Sequence, residues 1–239
     1  MSTPIYYNTP VELWRGFLDR PKDVLRNILC YASAEYDDEK TAAKALRVSY
    51  GDGWEETKDD GGELRGRKDY SGVTFSIPNT LYWDYRDHAK DEHDNLLLLG
   101  YLALKSIGGH NRISFTNSAF MFCRMAGYGR MSDLQKEGYK YNQQAKKWNK
   151  SCVPVLFKYM RTDKIRGYYC EKLRYALMES FDDFHCYSRK GKRGFAFIFG
   201  NEKTRVEYWK MMAKQFDERG NDKKRNLLKE QMLEATWCY

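Results

Sequence analysis

Hydrophobic positions recur at helical spacing along the first fifty residues. Thr9-Pro10-Val11-Glu12 has the form of a capping box and predicts a short helix through Leu18. Pro21 can begin a second helix, and a third is predicted from about Asp38 to Val48. Residues 1–50 are therefore predicted to form an N-terminal helical brace. Its first two helices are expected to bury Leu13, Trp14, Phe17, Val24, Leu25, Ile28 and Leu29.

Glycines and charged residues interrupt this pattern in the next segment. Five glycines are interleaved with charges between Gly51 and Lys68, which is a composition typical of a mobile loop or linker. The alternating run Gly72–Ile77 then predicts a strand that ends at Pro78. Residues 51–90 are accordingly predicted to be a loop followed by a short strand segment.

Helices and short strands alternate between residues 91 and 200. The first predicted elements are an apolar helix Asn95–Ile107, a strand Arg112–Phe115 and a helix Asn117–Ala126. Thr162 can cap a later helix that runs to Phe181. Two alternating aromatic strands follow, near Phe184–Ser188 and Phe195–Phe199.

The last segment, residues 201–239, is predicted to form C-terminal helices that pack on the core. Asn201 can cap the first of them, whose apolar side carries Val206 and Trp209. The fold class that follows is mainly α (α+β), with a small β-hairpin between flanking helices.

Composition and charge restrict the class of protein. The 239 residues are 42% hydrophobic and 15% aromatic, which indicates a globular chain. A net charge of +8 favours an acidic partner such as nucleic acid. The start of the chain has no secretory signal, and the apolar run Leu96–Ile107 is shorter than the roughly 20 residues that span a bilayer. Six separated cysteines without a CxxC pair predict reduced thiols in a cytoplasmic protein without a membrane partner.

Evidence for catalysis is limited to one acidic, histidine-containing cluster. On a helix, Asp84, His88 and Asp91 or Glu92 would share a face that a divalent metal ion could use, as in a metal-dependent nuclease. Carboxylates are also expected there as caps of the apolar helix that follows. The sequence has no P-loop, GxGxxG, GxSxG or HExxH motif. No catalytic residue, metal site or cofactor is therefore assigned, and the nuclease remains an alternative.

Four cations occupy the predicted hairpin tip. Clustering them costs self-repulsion that an anionic partner relieves, and contacts to phosphates would make binding strongly dependent on salt. A solubilising loop or a protected strand edge is the other interpretation. Further cations precede the helix before the hairpin. The assigned nucleic-acid contacts from these two groups are Arg189, Lys190, Lys192 and Arg193 at the tip, with Lys158 and Arg161 before the helix.

The helix between Asp163 and Phe181 has two distinct sides at about 100° per residue. The predicted core side carries Ile165, Tyr169, Leu173, Ala176 and Leu177. The predicted outer side carries Lys164, Gly167, Glu171, Arg174 and Tyr175, with Tyr168 and Lys172 at its flanks. Lys164, Lys172 and Arg174 are assigned to base edges or phosphates. The acidic residues on the same side favour an ordinary solvated face, and both interpretations stay open.

The order of elements from Asn95 to Gly200 resembles a winged helix-turn-helix domain. The resemblance implies a helix that enters the major groove of double-stranded DNA and a basic hairpin, the wing, that contacts the backbone. About thirty-five residues, Gly127 to Arg161, separate two helices that a tight turn usually joins. They are either an insertion or the third helix lies at Tyr141–Lys150.

Two functions are compatible with this resemblance. The arrangement is similar to replication initiators and regulators of plasmids and phages, which implies a DNA-binding regulator or replication-associated factor of a mobile element. The alternative is a phage or plasmid protein-interaction module that inhibits a host nucleic-acid-binding machine through an acidic protein partner. The sequence predicts no oligomeric state.

Overall fold

The computed structural model describes residues 5–109, 113–136, 141–142, 144, 147–148, 159, 162–188, 194–201, 203–208 and 210. These residues form a mainly helical α+β structure with small antiparallel sheets. None of the helices within those ranges is both long and apolar enough to cross a bilayer.

The N-terminal part is built on a two-stranded antiparallel sheet. Strand β1 (Tyr6–Pro10) pairs with β2 (Thr74–Pro78), and the helices between them are α1 (Pro21–Ser33), α2 (Glu39–Leu46) and α3 (Trp54–Gly66). Helix α4 (Asn79–Asp87) follows β2 directly. The helices predicted at Pro21 and Asp38 are confirmed, and the Asp38 carboxylate caps α2 by accepting a bond from the Thr41 amide.

The helix predicted after Thr9 is wrong. Residues before Val11 belong to β1, and Val11–Trp14 is a single 3₁₀ turn. The Thr9 hydroxyl accepts a hydrogen bond from the Trp14 indole instead of capping a helix. Pairing with β2 satisfies the backbone that an α-helix would otherwise use. Trp14 and Phe17 are nevertheless buried, as the hydrophobic pattern predicts.

The loop predicted between Gly51 and Lys68 is also wrong, because α3 occupies most of it. Helix α3 packs against α1, and the two backbones approach each other closely at Gly61. A Cβ at Gly61 would overlap the carbonyl oxygen of Cys30. A glycine that lowers helix propensity is therefore needed for packing, and Gly62 beside it has open space around it.

Substituting these two neighbouring glycines is expected to have opposite effects on stability. Gly61→Ala should lower the free energy of unfolding by more than about 2 kcal/mol, because α1 and α3 must separate to admit the methyl group. Gly62→Ala should leave it unchanged or raise it by up to about 1 kcal/mol through helix propensity alone. Urea denaturation of both variants measures the difference. Equal effects would contradict the α1–α3 packing.

The C-terminal part contains a second, three-stranded sheet. Helix α5 (Glu92–Gly108) is followed by β3 (Ser114–Thr116), α6 (Ser118–Met125) and α7 (Met131–Lys136). After the short pair β4 (Tyr141–Asn142) and β5 (Lys147–Trp148) come α8 (Asp163–Ser180), β6 (Phe184–Ser188) and β7 (Phe195–Phe199). Strand β7 lies in the middle and pairs antiparallel with both β3 and β6, so the spatial order is β3–β7–β6.

The residues that cap the helices in this part are those expected from the sequence, except at α6. Asp91 caps α5 and Thr162 caps α8, each accepting a bond from the backbone amide three residues later. Asn117, which was predicted as the first residue of its helix, caps α6 instead. A third helix at Tyr141–Lys150 is excluded, because β4 and β5 pair as strands there.

Helix α5 is the centre of the core and joins the two parts. Its residues from Leu96 to Leu104 are all buried, and it packs against β2, α6 and α8. Phe184, Phe195 and Phe197 of the three-stranded sheet extend this core. The opposite side of the sheet meets residues 203–208, which are helical, through a contact between Tyr187 and Tyr208.

The buried side of that last helical segment differs from the predicted one. Tyr208 is buried, while Val206, which was predicted to lie on the apolar side, is 40% exposed. Asn201 does cap the segment, as its side chain accepts a bond from the Thr204 amide. The helix predicted after Asp222 lies outside the described residues.

Candidate nucleic-acid interface

Helix α8 is held against the core by one apolar side. Cys170, Leu173 and Leu177 are buried, and Gly100 on α5 lets α8 approach closely. A Cβ at Gly100 would lie 3.3 Å from methyl carbons of both leucines. The opposite side of α8 carries side chains that are exposed among the described residues.

Buried polar groups fix the position of α8 further. Arg166 is only 8% exposed, and its Nε donates to the Ser118 hydroxyl at the start of α6, at 3.2 Å. The Cys170 thiol lies 3.9 Å from the Met121 sulfur of α6. Burial raises the pKa of Cys170 to about 11, so the thiol stays protonated at neutral pH. These contacts set α8 against α6 as one rigid unit.

The base of the β6–β7 hairpin is tied to α5 by a half-buried polar chain. Lys105 donates to the Tyr101 hydroxyl at 3.2 Å, and that hydroxyl donates to the Asp183 carboxylate at 3.0 Å. Burial lowers the pKa of Lys105 and raises that of Tyr101. The Tyr101 ring also stacks on Phe181 at 4.1 Å between centroids. The end of α8 and the start of β6 are therefore anchored together.

The direction of the hairpin is set at its far end by Gly194. Its φ of +96° is unfavourable for other residues, and a Cβ would overlap the Thr116 carbonyl oxygen at the end of β3. Both predicted strands are confirmed, and Ser188 pairs with Phe195. The chain that follows the predicted wing tip therefore enters β7 beside the end of β3.

The outer side of α8 has an aromatic midline. Tyr168 and Tyr175, seven residues apart, are 52% and 56% exposed, whereas Lys164, Glu171, Lys172 and Glu179 lie beside them and are exposed. The Lys172 ammonium lies 4.8 Å from the centroid of the Tyr168 ring. The Tyr168 hydroxyl raises the pKa of Lys172, which keeps the lysine charged. We call this surface, from Lys164 to Glu179, the α8 outer face.

The phase of the predicted helical wheel needs correction. Cys170 and Arg166 face the core, and Tyr169, which was predicted to be buried, is 36% exposed. Arg174 lies at the flank of the α8 outer face rather than near its middle. Its guanidinium carbon is 4.5 Å from the centroid of Phe195, so this cation is directed towards the hairpin.

Three of the nine predicted nucleic-acid contacts are described by the structure, namely Lys164, Lys172 and Arg174. Lys164 and Lys172 are exposed on one helix side, and Arg174 is partly buried between that helix and the hairpin. The other six lie outside the described residues: Lys158, Arg161, Arg189, Lys190, Lys192 and Arg193.

The two midline tyrosines were not among the contacts predicted from the sequence. Tyr168 was placed at a flank and Tyr175 was not assigned a contact. Their spacing of seven residues, two helical turns, was the available signal. The true phase depends on Cys170, which packs as a small apolar side chain.

The acidic cluster between Asp84 and Asp94 is used for structure. The Asp84 carboxylate pairs with His88 at 3.0 Å and with Lys90 at 2.8 Å, and Lys90 lowers its pKa. Asp91 is the cap of α5, and Glu92 accepts a bond from the Tyr159 hydroxyl. Within the described ranges, no three His, Cys, Asp or Glu side chains are grouped so as to hold a metal ion.

Comparison of the chain with protein-family models, with curated proteins and with solved structures gave no match.

Proposed function

We propose that the chain binds double-stranded DNA through a winged-helix unit made of α5, β3, α6, α8, β6 and β7. The observation that carries the proposal is the strand order β3–β7–β6 in combination with this order of elements. In a winged helix, the last helix before the hairpin enters the major groove. Here that helix is α8, and its outer side is free of packing against the described core.

Charge supports the same proposal. The chain carries a net charge of +8, and Lys164 and Lys172 are exposed on the α8 outer face. The wing tip adds Arg189, Lys190, Lys192 and Arg193 between two strands whose register is defined. Phosphate contacts from the tip, from Lys164 and from Lys172 would supply most of the affinity, and other residues of the α8 outer face would supply the base contacts.

The segment between α6 and α8 is then an insertion in the helix-turn-helix. It contains α7 and the β4–β5 pair, which together take the place of a tight turn. The role that fits this unit is a regulator or replication-associated factor of a phage or plasmid. Strand β2 of the N-terminal sheet packs against α5, while α1 packs against β1 and α3.

A glutamate at Gly167 is expected to block duplex binding without disturbing the fold. Nothing lies within 4 Å of a Cβ built at Gly167, and glutamate is a better helix former than glycine. The new carboxylate would stand between α8 and the phosphates, so Gly167→Glu should weaken duplex affinity by about tenfold or more. Fluorescence anisotropy with a labelled duplex measures this loss of affinity.

Gly62→Glu is the matched control, since Gly62 is also a helical glycine with open space around it. It changes the net charge by the same amount on α3, and its affinity should equal that of the wild type. Equal losses in the two variants would show that only net charge matters, and no loss in either would remove α8 from the interface.

The second candidate is a protein-interaction module that inhibits a host nucleic-acid-binding machine. The exposed pair Tyr168 and Tyr175 favours it, because tyrosines are enriched in protein interfaces. Retention of a host protein on immobilised chain, together with no duplex shift at low salt, would select this candidate. Loss of that retention in Tyr168→Ala plus Tyr175→Ala would place the interface on α8.

A further inference from the structure

One carboxylate on the α8 outer face is poorly placed for a surface that meets phosphates. Glu171 is exposed and lies one turn after Gly167 and one turn before Tyr175. Among the described residues its carboxylate has no hydrogen-bond or ion-pair partner, whereas Arg26, Arg65 and Arg67 elsewhere do pair with acids. An unpaired carboxylate there lowers affinity for every duplex unless it meets a donor on the DNA.

The space around Glu171 admits such a donor. Gly167 has no side chain and nothing within 4 Å of a Cβ built there, which leaves a notch on the helix surface beside Glu171. Tyr168 follows Gly167 directly, and its ring has the Lys172 ammonium 4.8 Å from its centroid. A base edge can therefore approach the carboxylate closely, although an ordinary side chain at residue 167 would prevent it.

The chemistry of the major groove then selects the base. Guanine presents only acceptors, and thymine presents an acceptor and a methyl group, so both repel or fail to satisfy a carboxylate. Adenine places its amino donor next to the acceptor N7. Cytosine presents its N4 amino group as donor beside its own C5–H, so a carboxylate that accepts from it meets one neighbouring acceptor, O6 of the paired guanine. The adenine amino group is flanked by two acceptors, N7 and the paired thymine O4.

We propose that Glu171 reads a cytosine in the major groove and is a specificity-determining residue of the α8 outer face. This inference rests on the proposed DNA-binding function and adds to it a base preference. The repulsion between Glu171 and phosphates then helps the protein to distinguish DNA sites, because a site without the cytosine leaves the carboxylate unpaired and binds more weakly.

Glu171→Gln tests the inference, and Glu179→Gln is its control. Glu179 lies on the same face two turns later, is exposed, and loses the same charge on substitution. A randomised duplex library is selected with the wild type, and the best site is then varied one position at a time. The wild type should prefer cytosine at one position by about tenfold over the other bases.

The two variants are expected to differ in kind. Glu171→Gln should lose the cytosine preference and gain one for adenine, whose N6 and N7 a glutamine amide matches. Glu179→Gln should keep the cytosine preference and bind all duplexes somewhat more tightly. An unchanged cytosine preference in Glu171→Gln, or the same change in both variants, would overturn the inference.

Failure of the inference can be told from failure of the proposed function. A wild type that binds duplex DNA without any base preference contradicts only the assignment of Glu171. A wild type that binds no duplex at low salt contradicts the proposed function, and the inference is then wrong as well.

Discussion

Neutralising the four cations of the wing tip should lower duplex affinity by up to about a thousandfold at about 0.1 M salt. Each phosphate contact contributes about 0.9 to the slope of log K against log salt, so four contacts contribute up to about 3.6. The variant replaces Arg189, Lys190, Lys192 and Arg193 by glutamine. Its slope should be shallower than that of the wild type by that amount, measured by anisotropy over a range of salt concentrations.

The fold should tolerate this variant. The pairing from Ser188 with Phe195 to Phe184 with Phe199 does not use the tip side chains, and Gly194 sets the start of β7 independently. An unchanged thermal midpoint would check this. Removing four like charges from five consecutive residues also relieves self-repulsion, so any change in stability should be a small gain.

A second quadruple variant controls for net charge. It replaces four lysines that are exposed in the N-terminal part and have no ion pair among the described residues: Lys22, Lys40, Lys44 and Lys68. Its net charge equals that of the wing variant, but its affinity should stay within a few-fold of the wild type. If both variants lose affinity equally, long-range charge and not a wing explains the binding.

Unfolding at alkaline pH is the second large expected effect. Tyr7, Tyr82 and Tyr101 are at most 4% exposed, and burial raises the pKa of each above its ordinary value of 10.0. Each hydroxyl donates a hydrogen bond, to the Leu46 carbonyl, the Leu25 carbonyl and the Asp183 carboxylate respectively. The native state therefore keeps these protons while the unfolded chain loses them.

The sign of the effect follows from which state binds more protons. Above pH 10 the unfolded state holds fewer protons, so the free energy of unfolding falls by about 1.4 kcal/mol per pH unit for each tyrosine. The three together give about 4 kcal/mol per pH unit, which is a large part of a typical stability. This stabilisation is complete below pH 10 and is lost as the pH rises towards the native pKa values.

Buried thiols make the loss begin slightly earlier. Burial raises the pKa of Cys170 to about 11 and that of Cys186 to about 12, from an ordinary value of 9.0. Stability should therefore begin to fall above pH 9 and fall steeply above pH 10. Urea midpoints across this range, with tyrosinate absorbance as a second probe, measure the loss.

Tyr82→Phe separates the tyrosine contribution from general alkaline damage. At neutral pH the variant should be less stable by about 1–2 kcal/mol, because the Leu25 carbonyl loses its donor. Its stability should fall less steeply above pH 10, so the two curves converge and then cross. Tyr175→Phe, at a 56% exposed position, should keep the slope of the wild type. Parallel curves for the wild type and Tyr82→Phe would contradict the account.

Local signals in the sequence were sufficient for much of the fold. The alternating aromatic residues predicted β6 and β7 at their observed bounds, and Thr162 and Asn201 cap helical segments as expected. Pairing of β3 with β7 joins residues about eighty positions apart, and no local pattern carries that information. The strand order that supports the proposed function therefore came from the structure.

The errors have a common cause in contacts between distant residues. In the sequence, Gly61 resembles a loop residue. In the structure, α1 packs against it so closely that a side chain at this position would not fit. Likewise, Arg174 is on the polar side of an isolated helix, but Phe195 of β7 attracts its guanidinium. Sequence periodicity cannot supply either partner. The wing tip was predicted by charge alone and stays a prediction.

The central claim is that the α8 outer face and the wing bind double-stranded DNA. Titration of a labelled duplex with the wild-type chain, at salt concentrations from about 0.05 M to about 0.3 M, tests it most directly. Four wing cations with Lys164 and Lys172 predict a line in log K against log salt with a slope of about −5. No binding at the lowest salt, or binding with a slope near zero, would contradict it.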